Sequence, residues 1–308
     1  MTSEVVLLNK DAIVIAADSA VTVGRDPHPR YSKSANKIFD ASANGNLAMA
    51  IFSGAEIDGV PWELAIKQFR AADSSVPQRP TVKDYVPAAI QFLQANTLMF
   101  PADWLEEKLR TKLAVAGLQI LDDVKRIHPD IEEITRPQEA ASQLWATTAA
   151  SRRQQLAELP LAGGLSDLNY QSVRARIPEL APNLYEYLPN SVRRLVDPED
   201  YCDLAIEYAF RAPHYVFSST GVIFAGYGAA QIFPAFHSVT VYGHIGSEIC
   251  FTDGDEHVMD HSKGAWIQPF AKVSMIQRFT DGFDYKQQNL LRESIIDSMT
   301  TLSSRLGE

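Results

Sequence analysis

Apolar residues along this 308-residue chain keep two different rhythms. Glu4 to Leu8 and Ala12 to Ala17 are short apolar runs rich in β-branched residues, separated by the turn cluster Asn9-Lys10-Asp11. Leu47 to Phe52 is a third such run, closing on Ser53-Gly54. Runs of this length between turn residues predict buried strands. Gly24 to Arg30 reads as a loop and Ser42 to Asn46 as a turn. Pro61 to Phe69 predicts a helix with Pro at its first position. The spacing then becomes helical over Val82 to Leu98, Ala102 to His128 and Pro137 to Leu159. Leu161 to Asp167 reads as a Gly-containing loop. Asp197 caps a further helix that opens with Pro198 and runs to Arg211. Strand rhythm returns over Tyr215 to Gly226, Gln231 to Ile245 and Ile249 to Asp253. Trp266 to Thr280 and Tyr285 to Ser304 then predict helices.

This order gives an α+β chain in three sections: 1–70 rich in strands, 71–213 mostly helical, and 214–308 with strands followed by helices. The length suffices for a large core. Hydrophobic residues make up 46% and charged residues 21%, as in ordinary globular proteins. A formal net charge of −10 argues against a general nucleic-acid binder. No apolar run is long enough to span a membrane. The N-terminus lacks the basic and long apolar regions of a signal peptide, so a cytoplasmic location is expected. Cys202 and Cys250 then read as reduced core thiols.

Candidate chemistry collects at strand ends in the first section. Removal of Met1 would expose Thr2 with a free α-amine, which titrates near pH 8, roughly. That pairing of amine and hydroxyl is one recognised way to activate a weak nucleophile. Downstream stand Ala17-Asp18-Ser19-Ala20-Val21-Thr22-Val23-Gly24, Asn36-Lys37-Ile38 and Ser53-Gly54-Ala55-Glu56. Alone, Asp18 reads as a turn residue, Lys37 as a strand-edge lysine and Gly54 as a strand end. The ordered set, with Asp18 sixteen positions after Thr2, is more specific. From Thr2 to Gly59 the chain resembles the N-terminal half of proteasome β-subunits and their bacterial relatives, the HslV-type and Anbu-like peptidases, all N-terminal-nucleophile hydrolases.

The resemblance implies a four-layer αββα sandwich, here with a large helical insertion in the middle section. It implies Thr2 as nucleophile, Lys37 lowering the effective pKa of the hydroxyl, and Asp18 pairing with Lys37. The Gly54 amide would stabilise the oxyanion and Thr22 would pair with an extended substrate. A supporting serine falls at Ser262, ahead of the helix expected from Trp266. The activity implied is that of a threonine peptidase acting on peptides or unfolded proteins, with no cofactor or metal. Its partners would be further copies in a homo-oligomeric ring and an ATPase unfoldase. Two alternatives stand beside it: a non-proteolytic amidohydrolase and a catalytically silent scaffold or partner-binding subunit. His257 and His261, among Asp253, Asp255 and Asp260, could suggest a metal cluster, but Thr252 to Asp255 reads as a turn, which favours a solvated acidic hairpin. Trp62, Tyr85, Phe92 and Trp104 read as core.

Overall fold

A computed structural model describes residues 3–19, 21–23, 30–32, 36–42, 45–73, 78–132, 137–271, 278, 282 and 285–306, with 21–23, 30–32, 73, 285–286 and 301–306 by backbone alone. The strands are β1 (Ser3–Asn9), β2 (Ile13–Ala17), β3 (Val21–Val23), β4 (Arg30–Ser32), β5 (Ile38–Asp40), β6 (Leu47–Phe52), β7 (Glu56–Ile57), β8 (Val60–Pro61), β9 (Thr220–Gly226), β10 (Ala235–Ile245), β11 (Glu248–Val258) and β12 (Ala265–Ala271). The helices are α1 (Trp62–Asp73), α2 (Tyr85–Ala95), α3 (Ala102–Ile127), α4 (Gln138–Ala157), α5 (Asp167–Arg174), α6 (Ile177–Tyr185), α7 (Asn190–Arg193), α8 (Pro198–Arg211), α9 (Pro213–Val216) and α10 (Tyr285–Leu306). The chain is thus mixed α and β, with antiparallel sheets.

Two sheets make the core. One is five-stranded in the order β11-β10-β9-β6-β5, and the other is three-stranded, β12-β1-β2. They face each other across Val6 and Leu8 of β1, Ala50 of β6, Ile223 and Ala225 of β9, Phe236 of β10 and Phe270 of β12. Helices α1 and α2 cover the other face of the larger sheet, where Trp62, Ile66, Phe69 and Tyr85 meet Met49, Val222 and Phe224. All seven residues of β9 are therefore buried, as expected for a strand covered on both faces. Because β6 pairs with β9, sections 1–70 and 214–308 share one sheet.

The middle section has its own core. Leu109, Leu113, Ile120 and Leu121 of α3 pack with Trp145 of α4 and with Tyr201, Ala205 and Phe210 of α8. The helical spacing read from 102 to 128 is therefore an internal packing stripe. Asp197 caps α8 by accepting from the Asp200 amide at 2.9 Å. Both cysteines are buried and unbonded to each other.

Three expectations change. Trp266 to Ala271 forms strand β12 instead of a helix, because β1 takes it as a second neighbour over the full register Ser3↔Ala271 to Asn9↔Ala265. Pairing of this kind overrides local propensity, and Pro269 is tolerated on an edge strand. Thr252 to Asp255 lies within β11, so the expected turn is absent. Strand begins at Thr220 and Ala235 instead of Tyr215 and Gln231, with α9 occupying 213–216. Helices α5 to α7 fill a stretch with no expected element. Their brevity, and Pro178 and Pro182 within α6, conceal the period.

One buried ion network joins the middle section to the sheets. Lys112 of α3 donates from Nζ to Asp58 Oδ1 at 3.0 Å and to the carbonyls of Tyr242 and His244, both at 2.8 Å. Asp58 Oδ2 accepts from the His244 amide at 2.6 Å and lies 2.9 Å from its Nδ1. Gly243 must be glycine here: its φ is +81°, and a Cβ would lie 2.5 Å from the Asp58 carboxylate. Among the described residues no helix is long and apolar enough to cross a membrane.

Burial pushes the Asp58 carboxyl up, but the His244 hydrogen bond and the Lys112 charge outweigh it and hold it at about 2 against an ordinary 3.8. Its contribution is therefore complete above pH 3.8 and is lost as pH falls toward 2. Asp58→Ala, which leaves Lys112 buried without its carboxylate, is expected to lower stability at neutral pH by about 3–5 kcal/mol. Urea unfolding of both proteins from pH 7 down to 2 tests this. The gap should be widest at neutral pH and narrow in acid.

Candidate functional site

Alternation along β1 turns Glu4, Val6 and Leu8 inward, with 0%, 0% and 3% exposure. At its first residue β1 is tied to the end of β2. The Asp18 amide donates to the Ser3 carbonyl at 3.0 Å, and the Ser3 amide donates to Asp18 Oδ2 at 3.2 Å. Asp18 is thus fixed beside the residue that follows Thr2. Lys37, just ahead of β5, is held by the other sheet, where its carbonyl accepts from the Ile51 amide of β6 at 2.9 Å. Its side chain crosses between the sheets and donates from Nζ to Asp18 Oδ1 at 2.7 Å. Lys37 is 7% exposed, so the ammonium is shielded from solvent, whereas its partner Asp18 faces water on one side.

Glu4 is the member that motif reading missed. Its Oε1 lies 3.7 Å from Lys37 Nζ. The available signal was a carboxylate at an inward position of a buried strand. Burial raises the Glu4 carboxyl, Lys37 lowers it and Asp18 raises it again, for an outcome of about 7.

Gly54 sits at the end of β6, in the same sheet as the Lys37 backbone. Ser53 has φ +68°, and the Gly54 amide donates back to the Phe52 carbonyl at 2.9 Å. This is a γ-turn of the rare positive-φ kind. The amide expected to receive an oxyanion is therefore engaged, and that role requires the turn to open. Glycine is needed for packing as well, since a Cβ would lie 2.1 Å from Thr220 Oγ1. A cavity of about 520 Å³ begins at this turn. The middle section walls it with Lys108, Thr111 and Val115 from α3, and Phe217, after α9, lines it from the third section.

The remaining expected site residues fall as follows. Thr2 and Met1 lie outside the described residues. Thr22 is on β3, opposite Tyr31 of β4, and its backbone alone is described. Ser262 does not join the others. It lies in the exposed turn between β11 and β12, where its amide and hydroxyl both donate to Asp260 Oδ1, at 2.8 and 2.6 Å. The register puts this turn at the Asn9 end of β1, about 20 Å from Ser3 along a seven-residue strand. The expectation failed because the segment after Gly264 is a strand running back toward Ser3, which leaves the serine at the far end. His257 stacks on Trp266 at 4.3 Å, and Asp253 and Glu256 flank His237 at 2.9 and 3.0 Å. Among the described residues no group of three or more His, Cys, Asp or Glu is placed to hold a metal ion.

Comparison with known proteins adds no assignment: no family model matches the chain, and no curated protein matches it significantly.

Gly54→Ala is expected to destabilise the fold by about 1–3 kcal/mol through overpacking. Adding Thr220→Ala, which removes the nearest colliding atom, should recover part of that loss. Thermal or urea unfolding of the single and double variants measures both. Equal stability of wild type and Gly54→Ala would contradict the packing at this turn.

Proposed function

We propose that the chain is a threonine-type N-terminal-nucleophile hydrolase that cleaves amide bonds of peptides, acting after removal of Met1. One observation carries the reading. The buried Lys37 ammonium pairs with Asp18, and Asp18 is anchored to Ser3, the residue covalently next to Thr2, so a shielded cation is directed toward the start of the chain. The motif order Thr2, Asp18, Lys37, Gly54 supports it independently.

In this reading the Thr2 hydroxyl attacks the amide carbonyl and its proton passes to the α-amine, directly or through water. Lys37 favours the developing alkoxide by its charge, and Asp18 holds Lys37 in place. The Gly54 amide, freed from Phe52, would meet the oxyanion. Collapse of the tetrahedral species expels the leaving amine, which takes the proton, and leaves an ester on Thr2 that water then hydrolyses. Thr22 on β3 would pair with the extended substrate. The wider reading is a four-layer αββα sandwich in a self-assembled, cytoplasmic oligomer, with an ATPase unfoldase as a possible partner. The outer face of the three-stranded sheet exposes Leu7, Val14 and Ile267, and α10 exposes Leu291, Ile295 and Met299. Their juxtaposition would supply the fourth layer. The cavity beside Gly54, walled by α3, also favours a second reading, in which the substrate is a small amide instead of a polypeptide. The engaged Gly54 amide favours the catalytically silent alternative.

Intact-mass measurement first establishes whether Met1 is absent. A Met-free protein should then hydrolyse members of a fluorogenic peptide panel. Thr2→Ala should abolish turnover, and Lys37→Met should reduce it by about 10²–10³-fold, the scale for losing one electrostatic stabiliser. A Met-free chain inert to peptides and small amides alike would overturn the proposal.

A further inference from the structure

Glu4 occupies a position where strand β1 otherwise presents Val6 and Leu8. Removing an ionised carboxylate from water is unfavourable unless it is paired and hydrogen-bonded. Glu4 is fully buried, yet among the described residues neither of its carboxylate oxygens has a hydrogen bond. Among the described residues the nearest cation, Lys37 Nζ, is 3.7 Å from it, and that ammonium is already committed to Asp18 at 2.7 Å. Asp18 keeps 40% of its side chain exposed. Two carboxylates therefore share one ammonium. The solvated, hydrogen-bonded one is better able to remain ionised, and the buried one is better able to take up a proton.

We propose that Glu4 is a positioning residue of this site that acts by holding a proton. When neutral, it adds no charge beside Lys37, whose ammonium stays paired with Asp18. When ionised, it adds a negative charge beside Lys37 and reduces the positive potential at the start of the chain. The effect on catalysis rests on the hydrolase reading, whereas the titration of Glu4 does not. The charged groups acting on Glu4 are Lys37 from the segment before β5, Asp18 from the end of β2 and the α-amine of the chain. On the other side β12 places the uncharged Phe270 opposite it. The carboxyl outcome of about 7 agrees with this geometry and puts the change of charge in the neutral range.

Two measurements on the full-length protein test the proposal. Infrared titration should show a protonated-carboxyl band that disappears with a midpoint near pH 7. The band should be absent in Glu4→Gln and should move to higher pH in Lys37→Met, where the carboxylate loses its cation. A band that persists in Glu4→Gln, or a wild-type carboxyl population that titrates entirely in the ordinary carboxylate range, would overturn the proposal. If Glu4→Gln fails to fold, the wild-type midpoint and its shift in Lys37→Met decide alone. In turnover, the wild-type pH profile of kcat/KM should bend near pH 7 as Glu4 ionises. Glu4→Gln should remove that bend and be severalfold faster than wild type at pH 8. An unchanged profile shape would contradict the positioning role. A Met-free protein inert at every pH would defeat the hydrolase reading, while the infrared midpoint would still decide the state of Glu4.

Discussion

A buried ammonium governs how the two sheets meet. The Lys37 backbone belongs to the five-stranded sheet through its bond from Ile51, and its ammonium pairs with Asp18 at the end of β2 and lies beside Glu4 of β1 in the three-stranded sheet. An ammonium at 7% exposure without those partners would be strongly destabilising. The relative placement of the sheets, the start of β1 and the end of β2 are thus coupled to a single ion. That coupling also places positive charge at the beginning of the chain. The same interaction serves packing and, in the proposed mechanism, chemistry.

A second buried network performs the corresponding task for the middle section. Lys112 spends its three donors on Asp58 and two carbonyls of β10, fixing α3 against the sheet. Because α3 also walls the cavity that begins at Gly54, this network sets where the middle section stands relative to the candidate site. The γ-turn at Ser53 joins the two regions. It stores a positive φ at a non-glycine residue, and strain of that kind persists only where the surroundings enforce it. Here the Thr220 side chain packs behind Gly54 and confines the turn on that side.

Much of the fold was legible because local signals agreed with tertiary demand. The runs at Glu4 to Leu8 and Leu47 to Phe52, the long helical stripe from Ala102 and the Asp197 cap all became the elements they predicted. The Asp18–Lys37 pairing was legible through motif order. What stayed hidden depends on partners distant in sequence. Trp266 to Ala271 is a strand only because β1 is beside it. Ser262 was misplaced by the same error. Lys112 and His244 are 132 positions apart, and no local pattern links them. Glu4 was visible as a charge on an inward stripe, but its meaning required knowing that Lys37 arrives from the other sheet.

The central claim is that Thr2 becomes a nucleophile beside the Lys37–Asp18 pair. The most direct test is to treat Met-free protein with a β-lactone and map the adduct by peptide mass spectrometry. The account predicts one acyl group per chain, carried on Thr2 and lost in Lys37→Met. An unmodified Thr2, or acylation elsewhere with Thr2 untouched, would contradict it.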